Sequence, residues 1–136
     1  MKATTPPAAA AGPDQGELPD LAAMRRIVTI LLDPDAVPEV LPPSGSEIDT
    51  LTRTVRGQLE LLIPEVEAAA RKLGKESIPR YCALACVSDA RGRLQAEPSR
   101  RYGGAAGHAR RLARALNALC DHYEQMSGEQ CRRAGC

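Results

Sequence analysis

The feature that most constrains the fold is a long apolar repeat between residues 48 and 73. Its members recur at steps of three or four residues and are Ile48, Leu51, Val55, Leu59, Leu62, Val66, Ala69 and Leu73. This period is typical of an amphipathic α-helix, whereas the apolar residues of a half-buried strand alternate. Ser46, with Asp49 three residues later, resembles a capping box, and Gly74 is placed to end the helix as a C-terminal cap. The repeat therefore predicts a single helix about 40 Å long at 1.5 Å per residue.

Pro64 lies inside this repeat. A proline in a helix removes one backbone hydrogen bond and crowds the preceding turn. The apolar period nevertheless passes through Pro64 unbroken. We therefore expect one helix that bends near residues 60–64 rather than two short helices.

Three further segments have a helical pattern. The first begins at Asp20, its predicted N-cap, and stops at Asp33-Pro34. Another begins at Ser77, which can cap a helix whose first turn contains Pro79, and ends near Ala96. The last begins after Gly103-Gly104 and ends near Met126, with Gly128 beyond it. The predicted buried residues of these three helices are Leu21, Met24, Ile27, Val28, Leu31, Tyr81, Leu84, Val87, Leu94, Leu112, Leu116, Leu119, Tyr123 and Met126.

These patterns predict an all-α fold, a small antiparallel bundle of about four helices with a disordered N-terminal tail. Residues 1–17 are rich in Pro, Ala and Gly without an apolar period, which predicts disorder. Residues 18–128 form the expected single helical domain. Residues 129–136 show no period and are predicted to be a flexible C-terminal tail.

Cysteine content and hydropathy bear on the compartment. The apolar runs are far shorter than the roughly 18 residues that cross a bilayer, and the N-terminus lacks a signal-peptide pattern. Five cysteines, an odd number, fit free thiols in a reducing compartment better than a disulfide framework. We therefore expect a cytoplasmic protein without a membrane contact.

The cysteines also raise the question of a metal or thiol site. Cys82 and Cys86 are four residues apart on one helix, and Cys120 on the next helix could approach them. Zinc would need a fourth ligand, and the spacing is not that of a zinc knuckle. We therefore interpret these cysteines as packing residues, with a zinc or thiol site as the weaker alternative, and we predict no cofactor and no metal.

No catalytic arrangement is evident in the sequence. His108 and His122 would lie about 21 Å apart along one helix, too far to share a ligand. A nucleophilic pair would need a histidine beside a cysteine, but Cys120 and His122 point apart on a helix. The prediction therefore leans towards a protein that is not an enzyme.

The C-terminal part of the chain is rich in arginine. Residues 1–79 hold eight basic and twelve acidic residues, whereas residues 80–136 hold ten basic and five acidic ones. Seven of the arginines should lie near one end of the bundle, where two antiparallel helices meet: Arg91, Arg93, Arg100, Arg101, Arg110, Arg111 and Arg114.

Two interpretations of this arginine-rich end remain open. In the first, glycine backbone and arginine side chains at a helix N-terminus bind an anion or a partner. Its candidate residues are Arg100, Arg101, Gly103, Gly104, His108 and Arg111. In the second, which we favour, acidic residues of the same pole neutralise the arginines. These acidic residues are Asp33, Asp35, Glu39, Glu47 and Asp49, so seven arginines face five carboxylates.

The charge balance also limits the partners. A net charge of +1 and only three aromatic residues, all tyrosines, make a nucleic-acid partner unexpected. A pole of mixed charge suits a protein partner better. The long helices with alanine-rich faces are also compatible with a homodimer.

Three segments, "RGQLELLIPEVE", "IPRYCALACVSDARGRL" and "GGAAGHARRLARALNALCDHYEQM", resemble an uncharacterised family of small helical actinobacterial proteins labelled natural-product biosynthesis protein. The resemblance covers approximately residues 47–127. It implies an actinobacterial origin and a link to specialised metabolism, and it brings no catalytic residues. We expect a non-catalytic accessory or regulatory protein that acts through protein–protein interaction; the alternative is an anion-binding or carrier-protein-binding module.

Overall fold

The computed structural model describes residues 19–32, 45–98 and 103–133, with the side chains of residues 45, 46 and 129–133 excepted. These residues form four helices: α1 (Leu21–Leu32), α2 (Gly45–Arg71), α3 (Ile78–Gln95) and α4 (Gly104–Arg133). The described ranges contain no strand. The predicted all-α helical bundle is therefore confirmed, while the predicted disorder of residues 1–17 lies outside the described residues.

Helix α4 is the central element, because it packs extensively against each of the other three helices, whereas α2 contacts α1 only slightly. Arg25 near the start of α1 forms an ion pair with Glu124, late in α4, at 2.7 Å. The carbonyl of Leu31 at the other end of α1 accepts a hydrogen bond from Nε of Arg110, early in α4, at 3.3 Å. Helices α1 and α4 are therefore antiparallel.

Helices α2 and α3 are antiparallel as well. Arg56, in the first half of α2, donates from Nη2 to the carbonyl of Leu94 at the end of α3 (2.7 Å). At the opposite end, Arg80 in the first turn of α3 donates from Nη1 to the carbonyl of Leu73, just after α2 (3.0 Å). The two arginines also satisfy carbonyls that a helix end leaves without a backbone partner.

The core is aliphatic, because the chain has no Phe and no Trp. Most of it comes from the facing sides of α2 and α4, and α1 contributes Met24, Val28 and Leu31. The largest fully buried side chains are Leu59, Leu62, Leu112, Leu116, Leu119, Met126, Val55, Val66, Val87 and Cys120. No helix of the described ranges has both the length and the apolar character needed to cross a bilayer.

Two of the predicted N-caps are confirmed. The Oδ1 atom of Asp20 accepts a hydrogen bond from the amide of Ala23 at 3.0 Å. The Oγ atom of Ser77 accepts one from the amide of Arg80 at 3.2 Å, and Pro79 lies in the first turn of α3. Both caps satisfy an amide that the helix itself leaves free.

The predicted ends of α2 are wrong. The helix already includes Gly45, so Ser46 lies inside the first turn and is not its cap. At the other end α2 stops at Arg71, and the amides of Lys72 and Leu73 bond to carbonyls three residues back. Because the chain tightens in this way, Gly74 needs no left-handed conformation: among the described glycines, a positive φ is found only at Gly103 and Gly104. Pro64 lies inside α2 without ending it, as predicted.

Two further predictions are corrected, one on a buried residue of α3 and one on the end of α4. Tyr81 was expected on the buried face of α3, but it is exposed, and Ala83, Val87 and Ala90 form that face. Small side chains allow α3 to approach its neighbours closely, which a tyrosine would prevent. Helix α4 does not end near Met126 but continues to Arg133, because Gly128 keeps a helical backbone. The segment 129–136, expected as a tail, is thus helical as far as Arg133.

Removing a core side chain of α4 should weaken the whole fold. Leu116→Ala leaves a cavity in the contact between α4 and its neighbours, where Leu116 is fully buried. The expected loss in the free energy of unfolding is roughly 2–5 kcal/mol, measured by urea denaturation. Leu61→Ala is the matched control, since Leu61 is 62% exposed, and it should change stability by less than about 0.5 kcal/mol. Equal losses in both variants would contradict a core centred on α4.

Candidate functional site

Gly103 and Gly104, two of the predicted anion-site residues, form the turn that opens α4. Their φ angles are 90° and 63°, in the left-handed region that favours glycine. The carbonyl of Gly103 accepts a hydrogen bond from the amide of Gly107 at 3.0 Å. A Cβ atom at position 103 would lie 3.2 Å from Cα of Gly107. The backbone conformation at the start of α4 is therefore sufficient to explain the glycine pair. Arg100 and Arg101, which were also expected to bind an anion there, lie outside the described residues.

His108, another candidate contact residue, lies in the interior. Its exposed fraction is 4%, and it is the one buried polar side chain in the described part of the chain. Burial lowers the pKa of His108 below its ordinary 6.5, and the charges of Arg111 and Arg56 act in the same direction. The imidazole is therefore neutral near pH 7 and does not add a charge to an anion site.

Arg91 and Arg93, two described members of the arginine-rich end, form ion pairs with carboxylates of the helices. Glu67 on α2 bonds to Arg91 on α3 at 2.9 Å and to Arg71 on its own helix at 3.0 Å. These hydrogen bonds, that of Arg91 first, lower the pKa of Glu67. Arg93 pairs through Nε with Asp89, one turn earlier on α3, at 2.9 Å. Neutralisation thus occurs, but through two carboxylates that the sequence interpretation did not assign to this role.

Most of the carboxylates that the sequence predicts to neutralise the arginines lie in parts of the chain that the structure does not describe. Asp33, Asp35 and Glu39 lie outside the described residues. Glu47 has a partner, as does Arg111. Of the described arginines, Arg91 on α3 bonds to Glu67 of α2, and Arg110 on α4 bonds to the carbonyl of Leu31 on α1.

A groove between α3 and α4, here called the α3–α4 groove, has a volume of about 300 Å³. Its lining residues are Cys86, Asp89 and Arg93 from α3 and Arg111, Arg114, Ala115 and Ala118 from α4. Ala115 is buried and Cys86 and Ala118 are partly buried, whereas Asp89 and Arg114 are exposed. The groove therefore combines an apolar floor with a charged rim.

The rim of the α3–α4 groove is positive. Three guanidinium groups, those of Arg93, Arg111 and Arg114, face the single carboxylate of Asp89. Asp89 already pairs with Arg93, and Arg111 has a partner of its own, so the exposed Arg114 on α4 is the guanidinium most open to a ligand. The sequence singled out Arg111 but missed the groove. The signal was the spacing of the lining residues at three or four positions on each of two neighbouring helices.

The three described cysteines differ in their surroundings. Cys120 is fully buried in the core, and burial raises its pKa to about 11 against the opposing charge of Arg25. Burial also raises the pKa of Cys86, and Asp89 acts in the same direction. Cys82 is exposed, so its interpretation as a packing residue is wrong. Among the described residues, no three His, Cys, Asp or Glu side chains are placed to hold a metal ion.

The helix arrangement and the groove define a small all-α protein with an arginine-rimmed surface groove. The chain belongs to a family of unknown function, DUF6415, whose family model matches residues 22–128. The resemblance to an uncharacterised family is therefore confirmed. No curated protein and no solved structure is significantly similar to the chain.

Burial of His108 should make the stability of the fold dependent on pH. In the unfolded chain the histidine titrates near its ordinary value of about 6.5, but in the folded chain its pKa is lower. As the pH falls below about 6.5, the unfolded state therefore binds the proton first, and stability is lost towards the folded-state pKa. Thermal unfolding between pH 7.5 and 5.5 should show this decrease.

Two variants separate the contribution of His108 from that of other groups. His108→Gln should flatten the decrease, whatever its effect on stability at pH 7.5, because the buried titrating group is gone. His122→Gln, which changes the other histidine of the chain, should keep the decrease of the wild type. A decrease of equal size in His108→Gln would show that another group causes it.

The three cysteines should react with a maleimide at different rates at pH 7.5. Cys82 should react first because its side chain is exposed. Cys120 should react at least about tenfold more slowly, because its sulfur is buried and little of it is thiolate. Peptide mapping by mass spectrometry resolves the sites, and labelling in denaturant is the control in which the difference disappears. Equal native rates would contradict the buried position of Cys120.

Proposed function

We propose that this protein is a non-catalytic accessory or regulatory protein that acts by protein–protein interaction through one side of α3. That side, here called the outer α3 face, consists of Ile78, Tyr81, Cys82, Ala85, Ser88 and Gly92. All six are exposed and follow one another at helical steps of one to four residues. The observation that carries the proposal is that Ile78 and Tyr81 are 73% and 76% exposed.

The exposed residues stand on a helix that is apolar on two sides. The inner side of α3 is buried through Ala83, Val87 and Ala90. A helix with apolar residues on opposite sides is typically covered by other parts of a protein on both sides. Covering Ile78 and Tyr81 would stabilise a complex by roughly 1.5–3 kcal/mol for each large side chain. The outer α3 face thus holds the two most exposed large apolar side chains of the described residues.

We propose that the partner that covers the outer α3 face is a second copy of this chain. The bulky residues Ile78 and Tyr81 lie in its first half, whereas Ser88 and Gly92 lie in its second half. In an antiparallel pair of α3 helices, related by a two-fold axis near Ala85, the bulky half of each copy faces the small half of the other. Such self-complementarity is what a two-fold interface requires.

The open space beside Gly92 supports this pairing. A Cβ atom added at Gly92 would meet nothing within 4 Å in its own chain. The chain therefore leaves room beside Gly92 for a side chain of the second copy. Small residues at such a crossing also let two helices approach to the lower end of the usual 8–10 Å.

The setting of this interaction is also part of the proposal. The resemblance of the chain to small actinobacterial proteins labelled natural-product biosynthesis protein supports a role beside the enzymes of specialised metabolism. Cys82, Cys86 and Cys120 are free thiols. Free thiols support a reducing compartment, the cytoplasm.

Light scattering coupled to gel filtration tests the second copy directly. At micromolar concentration the wild type should have a mass of about 29 kDa, twice the 14.5 kDa of one chain. Tyr81→Glu and Ala85→Glu should give the mass of one chain. The first buries a charge at the interface, and the second places two carboxylates opposite each other at the two-fold axis.

Leu61→Glu is the matched control, because Leu61 is similarly exposed (62%) but lies on α2. It should keep the wild-type mass, and circular dichroism should show the same helix content in all variants. A wild-type mass of one chain would exclude the second copy and leave only a different protein as occupant. A dimer that survives both α3 substitutions would exclude the outer α3 face.

A further inference from the structure

We propose that the α3–α4 groove binds a small organic anion, with one carboxylate or phosphate group on a short apolar body. The site lies within one chain, beside the outer α3 face, and its ligand is distinct from the protein partner proposed there. Three observations carry it: the guanidinium groups at the rim, the apolar floor, and the size of the space between them.

The rim supplies the contacts for the anionic group. Arg93 reaches the groove from α3, and Arg111 and Arg114 reach it from α4. Arg93 uses Nε for Asp89, which leaves its terminal amino groups available as donors. Arg114 is exposed, and no other described residue forms a hydrogen bond or an ion pair with it. Guanidinium forks bind carboxylate and phosphate oxygens in pairs, so this rim selects an anion.

The charge of the rim excludes a cation of comparable size. Asp89 is the one carboxylate of the lining, and it is paired. The effect of the positive charges extends beyond the groove, because Arg111 contributes to the lowered pKa of the neighbouring His108. A cation in the groove would meet this excess charge, whereas an anion would reduce it.

The floor supplies the contacts for the apolar body. Ala115 is buried, and Ala118 and Cys86 are partly buried. Burial and Asp89 keep the Cys86 thiol protonated by raising its pKa, so that it acts as an apolar contact and not as a nucleophile. The floor therefore suits a hydrocarbon chain.

The volume limits the size of the ligand. The groove has a volume of about 300 Å³ and is partly open to solvent. It therefore holds an anionic group and a body of a few carbon atoms. A larger ligand would extend out of the groove into solvent.

The position differs from the anion site that the sequence suggested. Arg111 lies seven residues beyond Gly104, or about 10 Å along the axis of α4. The groove thus lies beside the second to fourth turns of α4, not at its N-terminal amides. The ligand is bound by side chains of two helices, and the glycine turn takes no part.

Calorimetric titration of the full chain with four probes tests the proposal. Monobutyl phosphate and butyrate carry the anionic group and the body, inorganic phosphate carries the group alone, and butanol carries the body alone. At least one butyl anion should bind saturably and at least about tenfold more tightly than inorganic phosphate, because about two buried CH₂ groups give that factor. The comparison of the two butyl anions tells whether the site prefers phosphate or carboxylate. Butanol should show no saturable binding.

Three variants assign the binding to this groove. Arg114→Ala should lower the affinity for the butyl anion by about tenfold or more, as expected for loss of a hydrogen bond from a charged group. Arg53→Ala is the matched control, because Arg53 is an exposed arginine on α2, and it should change the affinity less than about twofold. Ala118→Leu should lower the affinity for the butyl anion, because the larger leucine side chain would occupy the floor of the groove.

Three results would overturn the proposal. The first is the absence of saturable binding of both butyl anions at millimolar concentration. The second is an equal loss in Arg53→Ala and Arg114→Ala, which would indicate attraction to the overall charge of the protein. The third is equal affinity for inorganic phosphate and the butyl anions, which would remove the apolar part of the site. Each result is independent of the mass of the protein in solution.

Discussion

The packing of α4 against the other three helices is the contact on which the rest of the structure depends. The chain has no Phe or Trp, and among the described residues Tyr123, partly buried, is the one aromatic side chain that packs against the core. The core is instead made of leucines on α2 and α4 with alanines between them, such as Ala109 and Ala113. Small residues at a crossing draw the helix axes together, so that modest side chains still reach each other. Close approach replaces the area that aromatic side chains would bury.

This constraint explains why α3 has large apolar residues on its outside. Its inner side must be small to approach α4 and α2, and Ala83, Val87 and Ala90 meet that requirement. Ile78 and Tyr81 therefore cannot turn inwards without forcing the helices apart. The same close packing leaves a groove where the helix surfaces diverge and where alanines such as Ala118 do not fill the space between them. The outer α3 face and the α3–α4 groove thus have one physical origin.

What the sequence predicted correctly is local or periodic. The steps of three and four residues in α2 fix its buried side, and the caps at Asp20 and Ser77 follow from a short polar side chain placed just before an apolar run. The errors have a common cause as well. Gly74 and Tyr81 were interpreted from their positions in the apolar pattern, but the first depends on how the turn after α2 tightens and the second on how α3 is rotated about its axis. Helix rotation is set by packing between elements, and α3, apolar on two sides, leaves it undetermined in its own sequence.

The same reasoning separates the two uses of arginine in this chain. Arg91 and Arg93 have a carboxylate within reach on a neighbouring helix or one turn away, so their charge contributes to local pairing. Such exposed pairs add little stability. On the groove side of α4, by contrast, the exposed Arg114 faces α3 across a space in which Asp89 is the one carboxylate of the lining. Asp89 also stands beside Ser88 on the exposed side of α3, so the proposed partner and the proposed anion would meet at one side chain. An anion that draws Arg93 away from Asp89 changes the charge that the partner encounters. The anion then changes the affinity for the partner by the same factor as the partner changes the affinity for the anion.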